Sequence, residues 1–242
     1  VKKALNEGIY KPQNITKTQF NYMIKKLESW DYNQDKDSIA ATFFNIWMKR
    51  FSSTFLRDTL LLEDDRIYIL GNFKSDHFIF GRIRTWMDKK DNDFNDYWCL
   101  NNFNRGKTYP CLYTLVESLE DTFKLLYLQY GKDEQSWKWG NLHHWVYKNT
   151  PFNKIPILFK LFEKRVINGG NSRTLFVSGI DTMSTDSVYS ANLRMVASLK
   201  EGDKSWLIID TGVSGHKLSK HYDDQMKIYH AGGYLEMLQG RM

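Results

Sequence analysis

The strongest constraint on the fold is that the hydrophobic period changes between the two halves of the chain. In the first half, apolar residues recur at three- and four-residue steps in three segments, the pattern of amphipathic helices. The first runs from Thr16 to Leu27 and has Phe20, Met23, Ile24 and Leu27 on one face. The second is longer, is capped by Asp37 or Ser38, and carries Ile39, Phe43, Ile46, Trp47, Phe51 and Phe55. The third runs from Leu112 to Tyr130 and carries Leu115, Leu119, Phe123, Leu126 and Tyr130. Gly131 supplies a stop for the third helix.

Beyond about residue 170, short runs typical of strands replace this helical pattern. Thr174 to Val177, Ser187 to Leu199 and Ser205 to Asp210 are separated by turn-rich stretches such as residues 201–204. Helices first and strands later indicate an α+β fold rather than a doubly wound sheet. No Pro/Gly/Ser linker divides the chain into independent domains.

The charge of the chain does not predict a nucleic-acid partner. The sequence has 34 basic and 28 acidic residues, a net charge of +6. The lysines are scattered and neighboured by Asp, as in Asp88-Lys89-Lys90-Asp91, whereas a nucleic-acid surface needs a stripe of one sign. The sequence also lacks the run of about 18 apolar residues of a membrane span, so no membrane partner is expected either.

Two acidic segments have the alternating oxygen ligands of a calcium-binding loop, namely Asp31-x-Asn33-x-Asp35 and Asp91-x-Asp93-x-Asn95. Both lack the glycine and the closing glutamate of that loop, since Lys36 and Asp96 stand at the sixth position and Thr42 and Asn102 at the twelfth. We therefore interpret both as solvated turns.

A group of histidines and aspartates near the end of the chain is the other candidate for metal binding. Its members fall within fifteen residues and are His216, His221, Asp223, Asp224 and His230. They match no familiar ligand spacing, so we predict no metal site. Ser214, in G-V-S-G-H, lacks the G-x-S-x-G of a nucleophile elbow because Gly215 follows it directly, which favours a turn serine.

Three motifs in order resemble the penicillin acylase family of N-terminal-nucleophile hydrolases. Residues 137–143 read W-K-W-G-N-L-H, similar to the family's W-x-W-G-x-L-H. Residues 169–171 (G-G-N) and 189–196 (Y-S-A-N-L-R-M-V) resemble its Gly-Gly turn and following strand. Residues 212–225 read G-V-S-G-H-K-L-S-K-H-Y-D-D-Q and resemble its G-Q-S-G-H-P-L-S-P-H-Y-D-D-Q. Val213 replaces the usual Gln, and Lys217 and Lys220 replace two prolines.

The resemblance implies structural roles for most of the motif residues. We expect Trp137 and Trp139 to anchor one face of a strand against helices, and His143, His216 and Asp223 to fix loops. The residues predicted to form the structural motifs are Trp137, Trp139, Gly140, His143, Gly169, Gly170, Gly215, His216, His221, Tyr222, Asp223 and Gln225. Asn192 and Arg194 are predicted to approach the substrate pocket.

In this family, the nucleophile is the first residue of a chain created by self-cleavage, and its own α-amine is the general base. That residue, the oxyanion donors and an Asn–Arg pair lie upstream of the region matched here. The chain begins with Val1, so we expect a segment of an amidase, incomplete at both ends, with no catalytic residue of its own. The alternative is a non-catalytic binding or interaction remnant of the same fold.

The fold implied by the resemblance is part of an αββα sandwich with a helical insertion. Residues 1–135 would form the mainly helical part and residues 136–242 the strand-rich part of one structural unit. The expected partners are the remaining chains or segments of the same enzyme and an acylated small-molecule amide. No cofactor is expected here, calcium in a full enzyme being bound outside this chain. A periplasmic or secreted location follows from the family and its Cys pair.

The resemblance also predicts that Cys99 and Cys111 form a disulfide, since they lie where many relatives have a Cys pair. Closing so short a loop should stabilise the fold by about 3 kcal/mol in the chain-entropy model. Peptide mapping with and without reduction should recover the two cysteines in one linked peptide. Two separate thiol peptides, or Cα atoms more than about 7 Å apart, would rule the pairing out.

Overall fold

The computed structural model describes residues 1–60, 110–149, 152–157, 161–180, 184–200 and 204–237. The chain divides into two compact units, Val1–His143 with Ile180–Asp186 and His144–Gly179 with Ser187–Met242. The first is helical and the second contains the small sheets. This mixture agrees with the α+β prediction.

The described helices of the first unit are α1 (Lys2–Asn6), α2 (Lys17–Glu28), α3 (Ile39–Leu60), α4 (Pro110–Tyr130) and, after a 3-10 turn at Glu134–Trp137, α5 (Trp139–Leu142). Of these, α2, α3 and α4 follow the three predicted segments closely. Thr16 caps α2 in a reciprocal capping box with Gln19. The Ser38 hydroxyl accepts the Ala41 amide at the start of α3 (3.1 Å). Gly131 ends α4 at a φ of +80°, which glycine adopts without steric cost.

The core of the first unit lies where α3 packs on α4. Phe43 and Phe123 set their ring edges against Trp137, with centroids 6.0 and 5.4 Å apart, and all three side chains are buried. Phe20 and Met23 of α2 join the same core, as the helical period predicts. The residues predicted to form the apolar faces of α2, α3 and α4 are buried or half-buried. The Phe55 side chain is not among those that the structure describes.

The prediction that Trp137 and Trp139 lie on a strand is wrong. Trp137 ends the 3-10 turn Glu134–Trp137, which is capped by the Asp133 carboxylate accepting the Gln135 amide, and Trp139 begins α5. The Trp139 amide donates to the Ser38 carbonyl (3.2 Å) and the Gly140 amide to the Lys36 carbonyl (2.7 Å). These hydrogen bonds satisfy the backbone amides of this segment without a strand partner. Trp137 and Trp139 are both buried, so the alternation of Trp and polar residues comes from two successive turns.

The strands of the second unit form two sheets. They are β1 (His144–Tyr147), β2 (Lys164–Ile167), β3 (Ser178–Ile180), β4 (Ser187–Ser190), β5 (Leu193–Val196), β6 (Trp206–Ile209) and β7 (Leu235–Glu236). One sheet has the order β2-β1-β4-β3 and the other β5-β6-β7. β1 is antiparallel to β2 and parallel to β4, and β6 is antiparallel to both its neighbours.

Two strand predictions need correction. Residues 174–176 form bends and the strand begins only at Ser178. The Thr174 hydroxyl holds this segment in a turn by donating to the Phe176 carbonyl (2.9 Å). The predicted strand from Ser187 to Leu199 is two strands in different sheets, separated by Ala191 and Asn192. β6 is confirmed within its predicted range. Sequence reasoning missed β1, β2 and β7.

Trp145 of β1, Ile208 of β6 and Tyr229 of α6 (Met226–His230) form the buried core of the second unit. In the described part of the chain, no helix is both long and apolar enough to cross a membrane. Cys99 and the segment Asp91-x-Asp93-x-Asn95 lie outside the described residues, so the disulfide stays a prediction. The described acidic segment forms local turns, with the Asp31 carboxylate accepting the Asn33 amide (2.9 Å) and Asp35 accepting the Asp37 amide (2.8 Å).

A buried carboxylate ties the N-terminal segment to α4. Glu120 is 1% exposed and lies among the apolar residues of α4 that face the core. Its carboxylate accepts hydrogen bonds from the Tyr10 hydroxyl and the Asn14 amide, and from the Gln13 amide at 3.0 and 3.1 Å. Burial is the main cause, and the bond to Glu120 a further one, of a raised pKa for Tyr10. The donors compensate the burial of the carboxylate.

We expect Glu120→Ala to lower the free energy of unfolding by at least about 2 kcal/mol, because it leaves buried donors without an acceptor. Asp121→Ala is the matched control, since Asp121 is the next residue of α4 and is exposed. Urea denaturation followed by circular dichroism measures both. Equal losses in the two variants would show that the Glu120 contacts contribute nothing specific.

Candidate functional site

The motif 212–225 forms a closed loop between β6 and α6. At its base, the Gln225 amide donates to the Thr211 carbonyl (3.0 Å), and the Gln225 side-chain oxygen accepts the Ile209 amide (3.2 Å). Higher in the loop, the Ser214 amide donates to the His221 carbonyl (3.0 Å). Gln225 therefore closes the base of this loop with its backbone amide and its side chain.

Gly212 allows the two arms of the loop to approach each other. A Cβ atom at this position would lie 2.2 Å from the His221 carbonyl oxygen and 2.7 Å from an oxygen of Asp224. At Gly215, the motif glycine that the sequence singled out, a Cβ atom would meet nothing within 4 Å. The steric requirement thus lies at Gly212, which sequence reasoning missed.

The charged side chains of the loop are paired locally rather than gathered at one point. Asp223 forms an ion pair with Lys164 of β2. The imidazole of His221 meets the Asp224 carboxylate (Nδ1 to Oδ2, 2.7 Å). Tyr222 accepts a hydrogen bond from the Asn149 side chain (3.2 Å), and the Lys217 ammonium lies 4.9 Å from the centre of its ring. These contacts fasten the loop to neighbouring strands.

Ser214 and His216 occupy a turn. The Ser214 hydroxyl oxygen accepts the His216 amide (3.1 Å), and the His216 carbonyl accepts the Ser219 amide (2.9 Å). The His216 side chain is exposed. These contacts give the Ser214 hydroxyl no general base, so the arrangement differs from a nucleophile–base pair.

Arg194 is held on several sides within the second unit. Its guanidinium donates to the carbonyls of Tyr229 (2.7 Å) and Gly233 (3.3 Å). It also lies over the rings of Phe176, Tyr229 and Tyr234, at 4.8, 4.2 and 5.1 Å from their centres. A planar cation suits both kinds of contact. In this structure Arg194 therefore fixes the turn after α6.

The predicted substrate-binding role of Asn192 and Arg194 stays a prediction. Asn192 is exposed, and its carbonyl accepts the Asp210 amide (3.1 Å). Both residues thus take part in holding β5 beside β6 and α6. Only the side chain of Asn192 is left exposed to meet a ligand from outside.

A neutral histidine lies beside the Arg194 cluster. The Asn168 amide nitrogen donates to Nδ1 of His230 (2.5 Å), so the ring proton is on Nε2, which donates to the Tyr147 hydroxyl (2.9 Å). Burial, and next the positive charge of Arg194, lower the pKa of His230 to about 4. The imidazole is therefore neutral at pH 7 and serves as a hydrogen-bond bridge between two strands and α6.

Asp210, at the end of β6, is an acidic residue of this unit whose protonation the fold perturbs. Burial raises the pKa of its carboxyl from the usual 3.8 to about 6, against the opposing effect of hydrogen bonds from its own backbone and Thr211. Its negative charge is one of the causes, after burial, that raise the pKa of Tyr147 and bring that of Tyr229 to about 12. Asp210 thus faces β1 and α6 at the base of the loop.

His143 is fully buried in the first unit, where its ring stacks on Trp139 with centroids 4.6 Å apart and planes 7° apart. Its Nδ1 lies 2.6 Å from the Thr185 carbonyl and donates to it. The Thr185 hydroxyl in turn donates to the Leu142 carbonyl (2.5 Å). The tryptophan motif therefore docks residues 184–186 onto the helical unit.

The two glycines after β2 form a tight turn. Gly170 has a φ of +91°, and a Cβ atom there would lie 2.3 Å from the Phe176 carbonyl oxygen. The Gly169 carbonyl accepts the indole N–H of Trp145 (3.1 Å). This turn brings Phe176 onto Trp145, with ring centroids 4.7 Å apart.

The structure brings the second and third motifs together around α6, while the tryptophan motif belongs to the first unit. Sequence reasoning missed Asn168, Tyr147 and Asp210 in this cluster. Asp210 lies two residues before the loop motif, but nothing in the sequence around a single Asp at the end of a strand predicts a shifted pKa. Within the described ranges, no group of three or more His, Cys, Asp or Glu side chains is placed to hold a metal ion.

The chain belongs to the penicillin amidase family, whose family model matches residues 3–241. This is an amide hydrolase-type family, and the match confirms the family predicted from the motifs.

A more particular relative is the acyl-homoserine lactone acylase QuiP of Pseudomonas putida. The two sequences are 23% identical over 149 residues, which is 60% of this chain and 18% of that protein. The aligned segment therefore spans less than a fifth of the relative's length.

We expect Gly212→Ala to lower the melting temperature by several degrees and Gly215→Ala to leave it unchanged. The first change forces a Cβ atom onto backbone, whereas the second points into open space. Differential scanning calorimetry of both variants checks this. A stable Gly212→Ala variant would mean that the loop opens at no cost.

Asp210→Asn should raise the melting temperature at pH 7.5 and have little effect at pH 4. Because the folded pKa of Asp210 is above its unfolded value, the folded state binds the proton more tightly. Its contribution to stability is therefore lost as the pH rises from about 4 to about 6 and stays lost above that. The exposed Asp121→Asn change is the control, and a pH-independent difference for Asp210→Asn would contradict the assignment.

Proposed function

We propose that this chain is a scaffold segment of an amidase that hydrolyses linear N-acyl amides through an acyl-enzyme. The observation that carries the proposal is the family match over residues 3–241. The relative acts, by its name, on acyl-homoserine lactones. An acylated small-molecule amide is accordingly the substrate class that we propose for the whole enzyme.

The contacts of the motif residues support a scaffold role. His143 is enclosed between Trp139 and the Thr185 carbonyl, and Arg194 is bound by two carbonyls and three rings. A general base must reach the proton that it removes, and an oxyanion donor must point to where negative charge develops. Nδ1 of His143 and Nη2 of Arg194 are instead engaged with the chain itself, whereas Nε of Arg194 is buried without a hydrogen-bond partner among the described residues.

We further propose that the nucleophile and its α-amine come from polypeptide outside these 242 residues. Ser214, the serine of the most specific motif, has its hydroxyl oxygen on the His216 amide, and the nearby His221 imidazole meets Asp224. The remaining segments of the same enzyme are therefore the partners of this chain. A periplasmic or secreted location belongs to the same proposal and rests on the family.

The proposed architecture is part of an αββα sandwich, with the helical unit as an insertion. Its support is that Trp145 of one sheet and Ile208 of the other share one buried core with Tyr229. Two sheets that share a core in this way are a frequent layer arrangement. The segment would hold the sheet layers behind a site completed by the partner.

The test compares the isolated chain with the complete product of its native gene. Both are incubated with chromogenic phenylacetyl, long-chain acyl and β-lactam amides, and covalent acyl adducts are sought by mass spectrometry. We expect no turnover from the isolated chain, because losing members of a catalytic unit costs orders of magnitude in rate. Hydrolysis is expected from the complete product.

Turnover by the isolated chain with an acyl group on one of its own Ser or Cys residues would overturn the scaffold role. If the complete product hydrolyses none of these amides while remaining folded, the non-catalytic remnant becomes the better description of the protein.

A further inference from the structure

The connection between β1 and β2 exposes a group of apolar side chains. β1 ends at Tyr147 and β2 begins at Lys164, and these two residues pair. Single exposed apolar residues are ordinary on a protein surface, whereas a group of them marks an interaction site. The group here, which we call the apolar tip, consists of Phe152 (36% exposed), Ile155 (45%), Ile157 (83%) and Leu161 (60%).

An aromatic contact joins the two arms of this connection. The rings of Phe152 and Phe162 stack with their centroids 4.6 Å apart and their planes 19° apart. Glu163 follows directly, and its carboxylate accepts Nε of Arg165 (2.9 Å). The apolar tip therefore belongs to a connection that is closed by its own side chains.

The same stretch of sequence is free of acidic residues. No Asp or Glu occurs between Glu134 and Glu163. Lys148 and Lys154 lie in this stretch and are exposed, and Lys154 directly precedes Ile155 of the tip. Neither lysine forms an ion pair within the described residues. The apolar tip thus carries positive charge that no neighbouring carboxylate neutralises.

The loop of residues 212–225 lies against both ends of this connection. The Asn149 side chain donates to the Tyr222 hydroxyl (3.2 Å) at the start of the connection. At its end, Lys164 forms an ion pair with Asp223. The two loops therefore occupy the same end of the β1-β2 hairpin.

Lys217 adds a third cation at this end. Its ammonium lies 4.9 Å from the centre of the loop's tyrosine ring, and Leu218 beside it is 88% exposed. The carboxylates of the loop are engaged elsewhere, Asp223 with β2 and Asp224 with His221. Lys217 stands where the motif that this loop resembles has a proline, so the cation is a feature of this chain.

We propose that the apolar tip, together with Lys148, Lys154 and Lys217, binds the surface of an anionic phospholipid bilayer. The apolar side chains enter the boundary between headgroups and acyl chains, and the ammonium groups meet the phosphates. The net charge of +6 favours the same partner. The inference goes beyond the proposed function and does not depend on amide hydrolysis.

The lysines interleaved with apolar residues favour a bilayer over a protein partner. Lysine is depleted in protein–protein interfaces, where an unpaired ammonium would lose its hydration. At a bilayer, the lysine stem lies along apolar surface while its ammonium stays among phosphates and water. The expectation of no membrane partner rested on the lack of a spanning run, which binding to a bilayer surface does not need.

The test is cosedimentation of the complete product of the native gene with phosphatidylcholine vesicles, prepared with and without phosphatidylglycerol. Ile157→Ser and Lys217→Gln are the test variants. Melting temperatures verify that both remain folded, which the 83% exposure of Ile157 favours.

Two further variants are the matched controls. Leu199→Ser removes an apolar side chain that is 101% exposed but is followed by acidic residues at 201 and 203. Lys204→Gln removes a lysine that already pairs with Glu236 (2.9 Å). Neither residue belongs to the end of the hairpin that carries the apolar tip.

We expect binding to the vesicles that contain phosphatidylglycerol, with a partition coefficient that falls as salt is added. Lys217→Gln should lower this coefficient about fivefold, the contribution of one lysine near an anionic surface. Ile157→Ser should lower it several-fold because it removes an inserted apolar side chain. The two control variants should bind as the unmodified protein does.

Equal binding to both kinds of vesicle, binding to neither, or equal losses in the control variants would each overturn the proposal. Sodium phosphate is compared with sodium chloride at equal ionic strength, and stronger displacement by phosphate would show that a soluble phosphate is the ligand instead. Hydrolysis of soluble amides is measured in the same samples. Hydrolysis without vesicle binding refutes the bilayer surface alone, and vesicle binding without hydrolysis refutes the enzymatic function alone.

Discussion

The second unit depends on one cation held in an aromatic and carbonyl environment. The Arg194 guanidinium joins β5 to α6 and to the turn after it, through the Tyr229 and Gly233 carbonyls and the ring of Phe176. Burying a charge is costly unless its donors are satisfied. Here two carbonyl dipoles and three ring faces replace water around part of the guanidinium, while its Nε–H lies buried with no hydrogen-bond partner among the described residues. The same charge helps to keep His230 neutral, so the bridge to Tyr147 carries no second charge.

Local patterns in the sequence predicted the helical unit well and the sheets poorly. In α2, the buried positions Phe20 and Met23 were predicted from their helical spacing, and the helix begins directly after Thr16, where the predicted segment starts. β1 and β2 were missed because each is four residues long and because their sequences, H-W-V-Y and K-R-V-I, do not alternate apolar and polar residues. The tryptophan motif alternates like a strand but folds as two turns, because its amides bond to Lys36 and Ser38, which lie about a hundred residues earlier.

The candidate site illustrates the same limit. The motifs identified the loop and the Arg194 strand, yet the residues that hold them in place come from elsewhere in the chain. Asn168 and Tyr147 meet His230 only through the pairing of β1 with β2, and the perturbed carboxyl of Asp210 results from burial. Sequence spacing reveals which residue types recur together, but burial and long-range hydrogen bonds depend on tertiary packing.

The joint between β4 and β5 has a consequence for the way in which the second unit unfolds. Only Ala191 and Asn192 separate these strands, which belong to different sheets. The Ala191 carbonyl accepts the Tyr229 hydroxyl, and the Asn192 carbonyl accepts the Asp210 amide. Neither sheet can therefore shift without straining the other. Amide protons on both sheets should exchange with solvent in one concerted opening, as expected of a single cooperative unit.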